Sequence, residues 1–192
     1  RQGAEMLDYA FIENAFFDAR WLMEHALKIN STQFALKKDK EVKKKDEIAF
    51  LSLIRRRIAG EPLQYILGRW EFMGLPFEVG EGVLIPRPET ELLPETAKVR
   101  LSNVKEPVVF DLCSGSGCIA ISVAKQFPKA KVYAVEKSKE ACEYLKKNIK
   151  LNKVKNVELI CGDIADKSLL GGVEADCILS NPPYIKSEEI PF

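Results

Sequence analysis

Val108-Val109-Phe110-Asp111-Leu112-Cys113-Ser114-Gly115-Ser116-Gly117-Cys118-Ile119-Ala120 decides the fold of this chain. Val108 to Leu112 reads as a buried strand, Ser114 to Gly117 as a tight loop, and Ile119 to Gln126 as the start of a helix. The alternation repeats downstream. Lys131 to Glu136 reads as a second strand, Ser138 to Leu151 as a second helix, Val157 to Cys161 as a third strand ending at Gly162-Asp163, and Asp176 to Ser180 as a fourth. Alternation of this kind predicts an α/β domain with a parallel sheet and right-handed crossovers, in the strand order 3-2-1-4.

The loop itself fits G-x-G-x-x-A, with Glu136 21 positions after Gly115. Glycines let a backbone approach a ligand closely, and an acid on the second strand suits ribose hydroxyls. That pattern serves dinucleotides and S-adenosylmethionine alike. Asp111 separates them. A dinucleotide pyrophosphate is an anion at the helix N-terminus, and a carboxylate beside it repels it. S-adenosylmethionine carries a sulfonium and an ammonium, both of which a nearby carboxylate favours. The Asp111-to-Gly117 spacing therefore favours S-adenosylmethionine, with Asp163 at the third strand's end as a weaker adenine-contact signal.

Cys177-Ile178-Leu179-Ser180-Asn181-Pro182-Pro183-Tyr184 closes the fourth strand on a stiff corner. Neither proline donates a ladder hydrogen bond, and each holds the residue before it extended. Ligands of open α/β sheets bind at this end of the strands. Asn181 offers a side-chain carbonyl, Pro182 a carbonyl without an N–H, and Tyr184 a flat ring. Two acceptors beside an aromatic face suit a planar group bearing an NH2, a carboxamide or an exocyclic base amine. The plain alternative is a structural turn with a surface tyrosine.

Composition narrows the field. The chain has 192 residues, is 46% hydrophobic and 30% charged, and carries a formal charge of +1. That balance is ordinary for a soluble globular protein and gives no nucleic-acid footprint. No apolar run reaches transmembrane length and no secretory signal opens the chain. Five cysteines without a CxxC pair read as buried thiols in a reducing cytoplasm, not as disulfides or a metal site.

Residues 1 to about 60 read as helical. Trp21, Leu22, Ala26 and Leu27 share a face; Trp21, Phe16, Phe17 and His25 read as packing residues. Lys37 to Glu47 reads as a solvated charged run. Ile48, Leu51, Ile54 and Ile58 mark the next helix, which Arg55-Arg56-Arg57 favours at its C-terminus and Gly60 ends. Trp70 to Val79 reads as a hairpin about a Gly74-Leu75-Pro76 turn. Ile85 to Glu91 reads as a rigid linker or as a lid edge with Arg87 and Glu89 as polar contacts. The expected organisation is a helical domain over 1–68, a hairpin linker over 69–90 and an incomplete Rossmann-like domain over 91–192.

Four stretches resemble the PrmC/HemK methyltransferases: Gly60-Glu61-Pro62-Leu63-Gln64-Tyr65-Ile66-Leu67-Gly68, Leu84-Ile85-Pro86-Arg87-Pro88-Glu89-Thr90-Glu91, Asp111 to Ala120, and Asn181 to Tyr184. The first two set this family apart from nucleic-acid adenine methyltransferases that share the Asn-Pro-Pro-Tyr corner. The resemblance implies methylation of the side-chain N5 of the glutamine in the GGQ motif of peptide chain release factors. The donor would be S-adenosylmethionine, the protein substrate would be held partly by the helical domain, and the enzyme would be monomeric and cytoplasmic. By motif, Asp111, Cys113, Ser114, Gly115, Ser116 and Gly117 would line the donor's methionine part. Glu136 would bind ribose, Asp163 and Ile164 would border adenine, and Asn181 would also contact the donor. Asn181, Pro182, Pro183 and Tyr184 would hold the glutamine, with Asn181, Pro182 and Tyr184 carrying the reaction. Cys113 stands where the family has glycine, and Glu136 where aspartate is usual.

The family continues beyond the length of this chain. Its fourth strand is then expected to have an open edge, and the 192-residue chain to bind the donor poorly and be inactive alone. Rival readings are an adenine-N6 methyltransferase acting on a flipped base, a non-catalytic binding module and a nicotinamide oxidoreductase.

Overall fold

The computed structural model describes residues 1–37, 40–166 and 168–183. The chain divides at Gly68 into two compact units.

The first unit is helical: α1 (Gln2–Tyr9), α2 (Ala15–Leu27), α3 (Ser31–Lys37), α4 (Lys44–Ile58) and α5 (Leu63–Leu67). Its core joins Leu7, Ala15, Ala19, Leu22, Phe50, Ile54, Leu63 and Ile66. Gly3 has no side chain because a Cβ there would overlap the Phe50 ring. The buried stripe differs from the expected one. Phe16 is 67% exposed, Trp21 46% and Ile48 61%, and His25 is exposed. The stripe instead runs through Ala15, Asp18, Ala19 and Leu22, where small residues let α4 approach. Asp18 is tolerated there because Arg57 Nε donates to its Oδ2 at 2.7 Å. On the C-terminal side of α4, Arg56 makes two hydrogen bonds with the Glu61 carboxylate, and Gly60 takes φ +93.

The second unit opens with an antiparallel hairpin, β1 (Arg69–Phe72) and β2 (Leu75–Glu78). Its turn is Met73-Gly74, both at positive φ (52° and 70°), and Pro76 lies within β2. Two left-handed residues match the right-handed twist of the strands, so the two-residue turn prevails over the expected Gly-Leu-Pro one. The hairpin packs on the sheet core through Phe72 and Phe77. Asn148, fully buried, fastens it: Oδ1 accepts from Glu78 N–H at 2.6 Å, and Nδ2 donates to Glu78 O at 3.0 Å and Ser116 O at 2.9 Å.

A 3-10 turn (Pro88–Glu91) leads into α6 (Leu92–Arg100). Then follow β3 (Val108–Leu112), α7 (Cys118–Gln126), β4 (Lys131–Glu136), α8 (Lys139–Leu151), β5 (Val157–Cys161) and β6 (Cys177–Ser180). The sheet is parallel, in the order β5-β4-β3-β6, as the alternation predicts. β3 and β4 lie inside it and carry Val109, Val132 and Val135 with no exposed surface, which is why they read as near-continuous apolar runs. Cys118 and Cys142 are buried, whereas Cys161 is exposed and Cys113 and Cys177 half-buried; all five are free thiols. Among the described residues no helix is long and apolar enough to cross a membrane.

Candidate active site

The carboxyl ends of β3, β4, β5 and β6 open onto one cavity of about 570 Å³. Cys113, Gly115, Glu136, Asp163, Ile164, Asn181, Pro182 and Pro183 all line it. A smaller cavity of about 50 Å³ adjoins, lined by Ser114 and Ser116 and sharing Cys113, Gly115 and Asn181 with the first. Residues from four separate strand ends thus meet at one site, because a parallel sheet brings all its strand ends to one side.

The loop after β3 holds three left-handed residues: Cys113 at φ +61, Gly115 at +55 and Gly117 at +80. The two glycines serve different ends. A Cβ on Gly115 would meet nothing within 4 Å, so its bare backbone faces open space. A Cβ on Gly117 would overlap Leu145 Cδ1, so that glycine admits α8. Cys113 takes the strained angle without glycine's freedom.

Glu136 holds the loop. Its Oε2 accepts from Gly115 N–H and its Oε1 from Ser138 N–H, both at 2.8 Å. Each carboxylate oxygen keeps a lone pair for a further donor. Ser138 caps α8, its Oγ accepting from Ala141 N–H at 3.2 Å. On the next strand end, Asp163 pairs with Lys137 at 2.8 Å, and its Oδ1 accepts from Ala165 N–H. The Lys137 ammonium and that backbone bond hold the Asp163 carboxyl below its ordinary range.

Asp111 is placed differently from the other acids. Its side chain is fully buried; Oδ2 accepts from Ala120 N–H at 3.0 Å, while Oδ1 has no partner among the described residues. Burial pushes its pKa up to about 7, against the pull of Ser114 and the Ala120 amide. It packs behind the loop on the first turn of α7. Of the acids named from the sequence, Glu136 and Asp163 line the cavity and Asp111 does not. The Cys113 thiol is raised by burial and by the Glu136 and Asp111 carboxylates, and so stays protonated near neutral pH.

Asn181 follows β6 directly. Its Nδ2 donates to the Thr90 hydroxyl at 3.2 Å. Thr90 is buried, in the 3-10 turn before α6. Sequence reasoning named Arg87 and Glu89 in this segment. Arg87 does line the small cavity, while Glu89 is exposed. Gly82, Val83 and Leu84 also form a wall of the large cavity; of these the sequence motifs included Leu84 alone, at the start of the Leu84-to-Glu91 stretch. Tyr184 lies outside the described residues.

A glycine loop, a second-strand acid and a proline corner on one cavity is a methyltransferase arrangement, and comparison with known proteins agrees. The family model described as methyltransferase small domain matches residues 89–191. The chain belongs to this family. Within it, the first 68 residues also match the PrmC N-terminal domain. Among curated relatives, the release factor glutamine methyltransferase of Thermodesulfovibrio yellowstonii is 39% identical over 178 residues, 90% of this chain and 62% of that protein. The protein of the same name from Fusobacterium nucleatum is 36% identical over 98% of this chain and 53% of its own length. The chain thus spans a little over half the length of these relatives. Among solved structures, the 16S rRNA N2 G1207 methyltransferase of T. thermophilus, in complex with AdoMet and guanosine, superposes with a TM-score of 0.53. It is 26% identical and covers 62% of this chain and 33% of its own.

Proposed function

We propose that this methyltransferase small domain chain transfers a methyl group from S-adenosylmethionine to the side-chain N5 of the GGQ glutamine of peptide chain release factors. One observation carries the reading: the glycine loop, Glu136 and the Asn181-Pro182 corner line the same cavity. Its volume of about 570 Å³ suits a cofactor-sized ligand, and open space lies where Gly115 would carry a side chain. Glu136 would accept from the ribose hydroxyls through its free lone pairs. Asp163 and Ile164 would border the adenine. Bound there, S-adenosylmethionine supplies an electrophilic sulfonium methyl.

An amide nitrogen is a poor nucleophile because its lone pair is delocalised. The protein's work is positioning and polarisation. The Asn181 side-chain oxygen and the Pro182 carbonyl accept the two N–H groups of the glutamine amide. They fix its plane and favour the positive charge that develops on nitrogen. Pro182 lacks an N–H, so no donor competes at that point. Tyr184 would stack on the amide. A strong base is not required before transfer, since the methylated amide sheds its proton readily.

The named relatives and the PrmC N-terminal domain match support release factors as the protein substrate. The rRNA methyltransferase neighbour favours a second reading, an exocyclic base amine at the same corner. Asn181→Ala should lower kcat for release-factor methylation about 100-fold while donor affinity, read by calorimetry, stays unchanged. Equal loss of both would contradict the assignment, and transfer to RNA but not to the release factor would favour the second reading.

A further inference from the structure

Asn181 is useful as an acceptor only if its amide is turned one way. With the opposite flip it presents an NH2 to a substrate NH2, and two donors face each other. The backbone on either side is already fixed. Before it, Ser180 Oγ donates to Leu112 O at 2.7 Å; after it, Pro182 restricts the chain. The remaining freedom is the side-chain amide itself.

We infer that Thr90 is a positioning residue that sets the Asn181 amide so that its oxygen faces the substrate. This rests on the proposed amide-methylation reading. Thr90 Oγ1 takes the hydrogen bond from Asn181 Nδ2 at 3.2 Å. Thr90 lines the small cavity and is not among the residues lining the large one, whereas Asn181 borders both. With the amide nitrogen on Thr90, the other arm of the trigonal amide, the oxygen, is turned away from Thr90. Thr90 is itself held. It is only 9% exposed, its N–H donates to Arg87 O at 3.0 Å, and its neighbour Glu91 accepts from Met73 N–H at 2.7 Å. The 3-10 turn thus ties the hairpin to the corner 91 residues further along the chain. A hydroxyl on a turn pinned at both ends holds the amide nitrogen at a fixed point, which a solvent molecule does not.

Thr90→Val keeps the shape and removes the hydroxyl; Thr90→Ser keeps the hydroxyl. Thr90→Val should lower kcat for methyl transfer roughly 10- to 100-fold, with donor affinity and melting temperature unchanged, and Thr90→Ser should restore it. In 1H–15N spectra the Asn181 side-chain amide should be protected from exchange in the wild type and in Thr90→Ser, and released in Thr90→Val. Full kcat in Thr90→Val, equal damage in both variants, or an unprotected Asn181 amide in the wild type would each overturn the inference. Absence of any transfer by a wild-type chain extended to the length of its curated relatives would sink the proposed function instead, and the amide spectra would still decide the role of Thr90.

Discussion

The two loop glycines should respond to the same substitution in opposite ways. Both sit at positive φ, so alanine at either costs about 1–2 kcal/mol of backbone strain. Beyond that they differ. At Gly117 the new methyl overlaps Leu145 Cδ1 and comes within 3.3 Å of Ile121 Cδ1. Leu145 and Ile121 are both fully buried and have nowhere to swing. Overpacking of this kind adds about 1–3 kcal/mol, so Gly117→Ala should lose about 3 kcal/mol in all and about 6–12 °C in Tm. At Gly115 the methyl meets no protein atom and stands in the cavity. Gly115→Ala should therefore melt within a few degrees of the wild type yet bind S-adenosylmethionine roughly 10- to 100-fold more weakly. Thermal unfolding by circular dichroism and calorimetric titration of the donor read both. If Gly115→Ala binds as tightly as the wild type, or if the two variants lose equal stability, the division of labour between these glycines is wrong.

Two further outcomes follow from buried polar groups. With a folded-state pKa of about 7 against an ordinary 3.8, Asp111 holds a proton in the folded state that the unfolded chain has already lost. Its contribution is complete below the unfolded value and fades as pH rises through about 7. Urea denaturation should thus show lower stability at about pH 8 than at about pH 5, by at most about 3 kcal/mol, and Asp111→Asn should flatten that slope. A slope unchanged in Asp111→Asn would show that another group carries it. Asn148→Ala strips partners from Glu78 N–H, Glu78 O and Ser116 O. It should cost about 3 kcal/mol in urea denaturation, since the orphaned groups are buried or part-buried; a loss under about 1 kcal/mol would mean that water replaces the bonds.

Much of the sheet was legible because its strands are short apolar runs punctuated by glycine and acid, and parallel topology follows from their alternation. The helical unit was less so. Helical spacing shows that a stripe exists but not which side is buried. Size misled: Phe16 and Trp21 look like core, yet Ala15 and Ala19 admit α4 and leave the aromatics outside. The partner that makes Asp18 burial tolerable, Arg57, lies 39 positions away. The hairpin turn depended on Met73 adopting φ +52, an angle that side chains rarely take. At the site, motif spacing placed Gly115, Glu136, Asp163 and Asn181 on one cavity, since all follow strand ends. It could not see that Asp111 turns back under the loop, nor that Thr90 reaches Asn181, because local sequence carries no trace of a contact that only the folded sheet creates.

The central claim is that a methyl donor held by the glycine loop meets a carboxamide held by the Asn181-Pro182 corner. Mass spectrometry of a release factor after incubation with S-adenosylmethionine bearing an isotopically labelled methyl, and with this chain extended to the length of its curated relatives, tests it most directly. The account predicts one labelled methyl, on the side-chain nitrogen of the GGQ glutamine, absent with Asn181→Ala. An unlabelled release factor despite calorimetric binding of the donor, or label on a different residue, would contradict it.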